Sequence, residues 1–487
     1  MSPSPHSRLL LVLLLASAGF WATSCTQPLG PAYSIESQEI RVRFHPSPDS
    51  HILVDSAYKL RNVGTRPISS LPLRLPGRLF HLTSDRAAWD GVSLATQNSD
   101  ANPRETVFAL PQPWDIGQTH SFEFSSEFTS AEAGASGFRF SSDAFFLPSE
   151  GWVPELLPAA GLFGIGGVPP KQWRLSVTVP EDFLVHTSGR PRKSSRNGGE
   201  ITSVSLQGAG DRYPFVVAGR YRESALSAGS RNVFLWTRSQ ENADSLRQFA
   251  DDLARAMQTY DATFGSSFPA AQPFWIVECP VVPGCFAATE SSYASFLGAE
   301  RGTVTSDLAS LDTLLLDFTG GPPRLAAAAP GLAASWLGYG QNPGFHGQQP
   351  PLTALPAFAS ALGGEAIAGP SARAENIRRA LRVIPRRPGK TEDPAVTRAK
   401  SLLFFYALQD RFGEPMFRQA INHVLTARRG RGFNLDDLIA AFDQETHQNT
   451  AEFVRLWMKH PGVPDDFRAR YEDPSTSSAA ISKETIP

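Results

Sequence analysis

Apolar and polar residues alternate along the first two hundred residues in short runs. Ile40-Arg41-Val42-Arg43-Phe44 places its apolar side chains on one face, as a half-buried strand does, and Ile52–Leu60 repeats the pattern before Arg61-Asn62-Val63-Gly64 supplies a turn. Phe108, Phe122, Phe124, Phe128, Phe138 and Phe140 mark further short strands, and Trp173–Val179 is one more, closed by Pro180. Short strands separated by turn residues predict a β-sandwich. Beyond Arg222 the period changes. Asn232–Trp236 and Pro273–Val277 read as strands. Ala243–Phe264 carries Leu246, Phe249, Leu253 and Met257 at helical spacing. Helices are then expected over Ser306–Phe318, Leu325–Leu337, Thr397–Phe412, Glu414–Thr426 and Leu435–Phe442. A sandwich followed by a strand-then-helix domain is an α+β multidomain arrangement.

The bulk numbers sharpen this only slightly. The 487 residues are 41% hydrophobic and 19% charged, an ordinary globular mix with room for more than one core. The 40 prolines and 39 glycines favour loop-rich β architecture over a helical bundle. A net charge of −2, with no basic domain, gives no reason to expect a nucleic-acid partner. No pattern sets an oligomeric state.

The N-terminus carries a local signal. Arg8 precedes the apolar run Leu9–Ala22, and Ala22-Thr23-Ser24-Cys25 follows. The run has the shape of a secretory h-region and is short for a bilayer span. Small residues before a cysteine resemble the lipobox of bacterial lipoproteins, where the cysteine is acylated, although Ala22 stands where leucine is commonest. An ordinary signal peptide with an incidental Cys25 is the alternative. The expected layout is a signal peptide over 1–25, a tether over 26–33, the sandwich over 34–225, the second domain over 226–470, and a disordered polar tail over 471–487. An acylated Cys25 would place the protein in the cell envelope, tethered to a membrane without a transmembrane helix. In that oxidising setting Cys279 and Cys285, which flank a Pro/Gly loop, are candidates for a disulfide, with a pair of buried thiols as the alternative.

The order of parts resembles the M1 family of zinc aminopeptidases, in which an N-terminal β-sandwich precedes a thermolysin-like domain. Tyr213–Gly219 looks like the strand that closes the family's first domain, and Tyr260–Phe268, with Phe264-Gly265, looks like the turn into its catalytic sheet. Ala399–Leu403 with Arg411-Phe412-Gly413 is similar to the family's long helix, and Phe453–Pro464 (FVRLWMKHPGVP) to its F-x-x-W and G-x-P ending. The resemblance runs over roughly residues 36–468.

It implies a zinc site, and the residues that should form it are the wrong kind. Two histidines one turn apart on a helix grip the metal, the glutamate beside the first handles the proton of the zinc-bound water, and a second glutamate completes the ligands. The matching segment is Pro330–Gly338. Its Trp336 and Gly338 fit, but Pro330 and Ala334 stand at the histidine positions and Gly331 at the general base. Pro356 falls at the third ligand and Arg398 at the oxyanion-side tyrosine, with Lys400 retained two residues on. No H-E-x-x-H occurs anywhere in the chain, and no two of the ten histidines lie four apart. Proline, glycine and alanine side chains offer a metal no lone pair. The expectation is a zinc-free, catalytically inactive homologue whose old cleft holds a peptide or protein, or is filled.

Other signals are weaker. Glu290 could be a remnant of the family's amine-holding glutamate or a solvated loop carboxylate. Gly389-Lys390-Thr391 ends like a phosphate loop but lacks its leading glycine and strand, and Gly161–Gly167 leads into Val168-Pro169-Pro170 rather than a helix. Seven basic residues between Arg373 and Lys390 face one acid, Glu375, and form either a solvated face or a contact for anionic headgroups or an acidic partner. Two further readings stay open: a hydrolase relocated to His346 or His423 with nearby carboxylates, and a structural envelope protein.

Overall fold

The computed structural model describes residues 32–46, 50–75, 81–98, 105–129, 140–148, 151–158, 167–207, 214–265, 272–279, 306–310, 312–316, 318, 325–337, 350–386, 393–428 and 433–472. Tyr33–His45 and His51–Asn62 pair antiparallel at the centre of an eight-stranded sheet, with Ile40, Val42, Ile52 and Val54 inward. Thr119–Thr129 and His81–Trp89 extend it on one side, and Trp173–Pro180, joined parallel to Tyr33–His45, on the other. A four-stranded sheet containing Ile68–Arg74 and Glu105–Trp114 covers one half of its face. Tyr33, Leu60, Phe122 and Phe124 of the large sheet meet Leu71, Leu73, Phe108 and Trp114 of the small one in a single core. The predicted sandwich is therefore present, for the predicted reason: alternating strands bury one face against another sheet.

The other half of the large sheet packs on a three-stranded sheet that includes Ala144–Leu147 and Val216–Gly219. That core also takes in Trp236, Val277 and Leu315 of a five-stranded sheet, so the two sheet systems share apolar contacts. Polar contacts cross as well. Tyr221 donates its hydroxyl to the Glu278 carbonyl at 3.0 Å, and His186 Nε2 lies 2.9 Å from Thr313 Oγ1. The His186 ring stacks on Trp275 with centroids 4.3 Å apart, and burial pushes its pKa down to about 4, so it is neutral at pH 7.

The five-stranded sheet runs in the order Arg222–Ala228, Arg231–Thr237, Phe274–Glu278, Thr313–Leu316, Ser306–Ser310. Here one expectation fails. The spacing predicts a helix over Ser306–Phe318, but its described residues form two antiparallel strands. Thr313–Leu316 pairs parallel with Phe274–Glu278 and is buried at all four positions. A short run that is apolar on both sides fits an interior parallel strand as well as a helix, so spacing alone cannot separate them.

Nine described helices complete this half: α1 (Ala243–Phe264), α2 (Leu325–Leu337), α3 (Leu355–Ala368), α4 (Pro370–Val383), α5 (Pro394–Phe412), α6 (Glu414–Ala427), α7 (Leu435–Thr446), α8 (Thr450–Lys459) and α9 (Asp465–Tyr471). Local chemistry sets several ends. Asn242 and Asp393 accept from Asp244 N and Ala395 N to start α1 and α5, and Asn434 with Asp437 forms a capping box on α7. Gly265, at φ 73°, ends α1 in a conformation that disfavours a side chain. Phe249, Leu253, Met257, Tyr260 and Phe264 bury one stripe of α1, as the spacing predicts. Among the described residues no helix is long and apolar enough to cross a membrane.

The basic stretch from Arg373 falls on α4, a helix the periodicity does not mark. Much of its charge is matched. Arg373 reaches Gln409 and Asp410 at 2.7 and 2.9 Å, Arg378 and Arg382 both meet Glu375, and Arg386 meets Glu472. Arg387 and Lys390 lie outside the described residues.

Candidate functional site

Helix α2 carries the positions where the sequence places the zinc ligands. Its thirteen residues, LAAAAPGLAASWL, are small or apolar except for Ser335, and it packs on α1, α3 and the strands Ser306–Ser310 and Thr313–Leu316. Pro330 sits inside the helix and is half-buried, while Gly331 and Ala334 are buried. Proline removes one backbone donor from the ladder, a loss offset by the strong helix-forming tendency of the surrounding alanines and leucines and by their packing against α1 and α3.

The two ends of α2 differ in chemistry. At the C-terminal end Trp336 Nε1 donates to Asp261 Oδ1 at 2.9 Å. The Arg231 guanidinium, 3% exposed, reaches both oxygens of Asp261 at 3.1 and 3.2 Å and lies 5.5 Å from the Trp336 ring centre. Nearer the N-terminal end, Tyr260 of α1 donates to the Ala329 carbonyl at 3.4 Å. Gly363 of α3 lies against the same tyrosine, where an added Cβ would be 2.2 Å from the hydroxyl oxygen. Glycine is required there by close helix approach.

The remaining expected positions are spread over other elements. Pro356 is buried in the first turn of α3 beside buried Leu355 and Phe358. Arg398 is exposed on α5. Lys400 is structural, because its ammonium donates to the carbonyls of Met458 and His460 and closes the C-terminal end of α8. Two stretches that carry the family resemblance, Ala399–Leu403 and Phe453–Pro464, therefore meet in space through that lysine. A cavity of about 700 Å³ opens beside it, lined by Arg382, Asp393, Lys400, Trp457, Lys459 and His460 among others. Cys279 is buried and disulfide-bonded, and Cys25, Cys285, Glu290 and His346 lie outside the described residues. His423 Nδ1 pairs with Glu445 at 2.8 Å.

One polar cluster escapes the sequence motifs. Glu365, the only charged residue of α3, accepts hydrogen bonds from the Tyr406 hydroxyl and from Asn376 Nδ2 at 2.9 Å. The Arg373 guanidinium lies 5.4 Å from the Tyr406 ring centre. Burial raises the Glu365 pKa and outweighs the two donors, and burial with the nearby carboxylate holds the Tyr406 phenol protonated. Its one legible signal is a lone acid in an apolar helix. With both partners bonded, the cluster ties α3 to α4 and α5.

Zinc does not fit the described residues. Neither Pro330, Gly331, Ala334 nor Pro356 carries a side-chain donor, and no group of three or more His, Cys, Asp or Glu side chains that could hold a metal occurs among them.

No protein-family model and no curated protein matches the chain. Solved structures do. An M1 zinc metallopeptidase from Deinococcus radiodurans superposes with a TM-score of 0.55 at 16% identity, over 89% of this chain and 95% of that one. A point mutant of it bound to a Tyr-Ser-Ala substrate gives 0.54 at 16% identity with the same coverage. A two-domain M1 zinc metallopeptidase mutant bound to L-tryptophan gives 0.54 at 15% identity, over 89% of this chain and 96% of that one. The chain thus has the fold of the M1 zinc metallopeptidases, a sheet-rich N-terminal region followed by a helical C-terminal region, along almost the full length of these structures.

Proposed function

We propose that this protein is an exported lipoprotein built on the M1 peptidase fold that does not work as a zinc peptidase and instead binds a peptide or protein ligand. One observation carries the reading: the helix that should grip the metal offers Pro330, Gly331 and Ala334 in its place, within a chain that contains no H-E-x-x-H at all. Water activation by the family's mechanism needs a Lewis acid and a base at these positions, and the side chains there supply neither. The sequence Ala22-Thr23-Ser24-Cys25 after the apolar run Leu9–Ala22 supports acylation at Cys25 and residence in the cell envelope. A relocated metal hydrolase gains nothing from His423, which has one carboxylate partner, Glu445, and belongs to no metal-binding group among the described residues.

Metal analysis and turnover on aminoacyl and short peptide substrates test this, using purified protein with and without chelator. The expected result is zinc well below one equivalent and no chelator-sensitive turnover. Stoichiometric zinc with chelator-sensitive release of N-terminal residues would overturn it. Peptide-library binding to the same protein reads the second half of the proposal, and absence of any saturable ligand would remove it.

A further inference from the structure

Five large apolar side chains are strongly exposed among the described residues, and three of them stand at one end of the sandwich: Val63 at 52%, Val92 at 55% and Ile116 at 56%. The strand pairing puts them together. Leu60 faces His120, Arg61 faces Thr119, and Trp89 pairs with both Phe122 and Val92. The Gly117 amide donates to the Asn62 carbonyl at 2.9 Å, so the turns carrying Val63 and Ile116 are in direct contact. The other two, Val383 and Leu456, lie on α4 and α8.

These turns are tied into the fold by hydrogen bonds. Trp114 Nε1 donates to the Gln118 carbonyl at 3.0 Å and closes the turn with Ile116 at its tip. Asn62 Nδ2 holds the carbonyls of Arg66 and Trp114, and its Oδ1 accepts from Gly64 N at 2.9 Å. Asp90 and Gly91, with φ of 47° and 81°, form the tight turn before Val92, and Asp90 accepts from the Ser121 amide at 2.8 Å. Tips of tight turns ordinarily carry polar residues. Here the hydrogen-bonded turns present valine and isoleucine to the outside instead.

The chain enters the fold at the same end. The Val63 and Gly64 amides both donate to the Ala32 carbonyl, at 3.0 and 2.7 Å, and Tyr33 opens the first strand opposite Asn62. Seven residue steps separate Ala32 from Cys25, which at full extension reach about 25 Å. The first strand then runs 13 residues, so the opposite end of the sandwich lies about 40 Å further away.

The geometry points to this end as a membrane-docking face: Val63, Val92 and Ile116 rest in the headgroup layer and orient the anchored protein with its N-terminal end on the bilayer. The inference rests on the reading that Cys25 is acylated. The acyl chains supply affinity, and the three tips supply orientation. Arg61 and Arg66, both exposed beside Val63, suit anionic headgroups; the same end also carries exposed Asp115 beside Ile116 and Asp90 before Val92, the latter paired with His120.

The test uses the full-length protein processed by a lipoprotein-competent host and reconstituted into phosphatidylethanolamine/phosphatidylglycerol vesicles. An environment-sensitive fluorophore is placed at Ile116→Cys or, as a control, at Asn197→Cys, an exposed position in the hairpin at the opposite end. Intact mass reports acylation. Lipid-borne quencher should reduce emission at position 116 at least about fivefold more than at 197, and Val63→Ser with Val92→Ser should remove most of that difference. Equal, weak quenching at both positions in acylated protein would overturn the docking face and leave the anchor intact. A mass without acyl chains would remove the anchor and the docking face with it. Shielding of the 116 probe without vesicles would assign the tips to a second copy of the chain and overturn the membrane assignment.

Discussion

Pro330 and Trp336 stand less than two turns apart on α2, and their surroundings differ in kind. The C-terminal end is held by Trp336, Asp261 and Arg231, a polar contact spanning helix, helix and sheet. The stretch from Pro330 to Ala334 presents no ionisable group at all. On this helix, side chains that position it are present beside a stretch that carries none able to bind a metal or a proton. Holding this helix in place therefore needs no ionisable group along Pro330–Ala334.

The largest test of that contrast is Trp336→Ala. It deletes a buried indole and the donor to Asp261, and should cost about 3–5 kcal/mol in denaturant unfolding. A loss below about 1 kcal/mol would break the comparison. Next is Gly363→Ala, whose Cβ would collide with the Tyr260 hydroxyl at 2.2 Å. It should cost about 2–3 kcal/mol, and combining it with Tyr260→Phe should recover much of the loss in a double-mutant cycle. Pro330→Ala goes the other way. It restores a backbone donor within the helix and should raise stability by about 1–2 kcal/mol, visible as a higher denaturation midpoint. A destabilised Pro330→Ala protein would show that this stretch is held by the proline ring rather than tolerating it.

The smallest effect is a pH dependence at Glu365. Burial raises its folded-state pKa above the ordinary 4.5, so the contribution of its protonated form is fully present below that pH. It is lost as pH rises through the folded-state value. Glu365→Gln should therefore gain stability relative to the parent as pH climbs above about 4.5 and show a constant difference below it. Equilibrium unfolding of both proteins across that range reads the difference, and two parallel curves would contradict it.

Much of the fold is legible because strand and helix periods leave plain marks. The stripe from Phe249 to Phe264 on α1 and the alternation in Ile40–Phe44 each bury one face, and each predicts its element. Thr313–Leu316 eludes the pattern because it is buried on both faces and carries no alternation. Helix α4 goes unmarked because its arginines obscure the apolar stripe of Ile377, Ala380 and Leu381. At the candidate site, the missing donors are readable residue by residue, since identity alone decides whether a side chain can hold a metal. The Glu365–Tyr406 pair and the Lys400 contact with α8 are not, because each joins residues 41 to 60 positions apart.

What the sequence determined by itself is chemical: no H-E-x-x-H, no donor at Pro330, Gly331 or Ala334, and a cysteine after a short apolar run. What only the tertiary structure decided is adjacency. It joined Trp336 to Asp261 and Arg231, gave Lys400 a helix end to close, and gathered Val63, Val92 and Ile116 where the chain enters the fold. Composition and spacing fix what a side chain can do. Long-range packing fixes what it meets, because contacts between distant residues depend on how whole sheets and helices settle against one another.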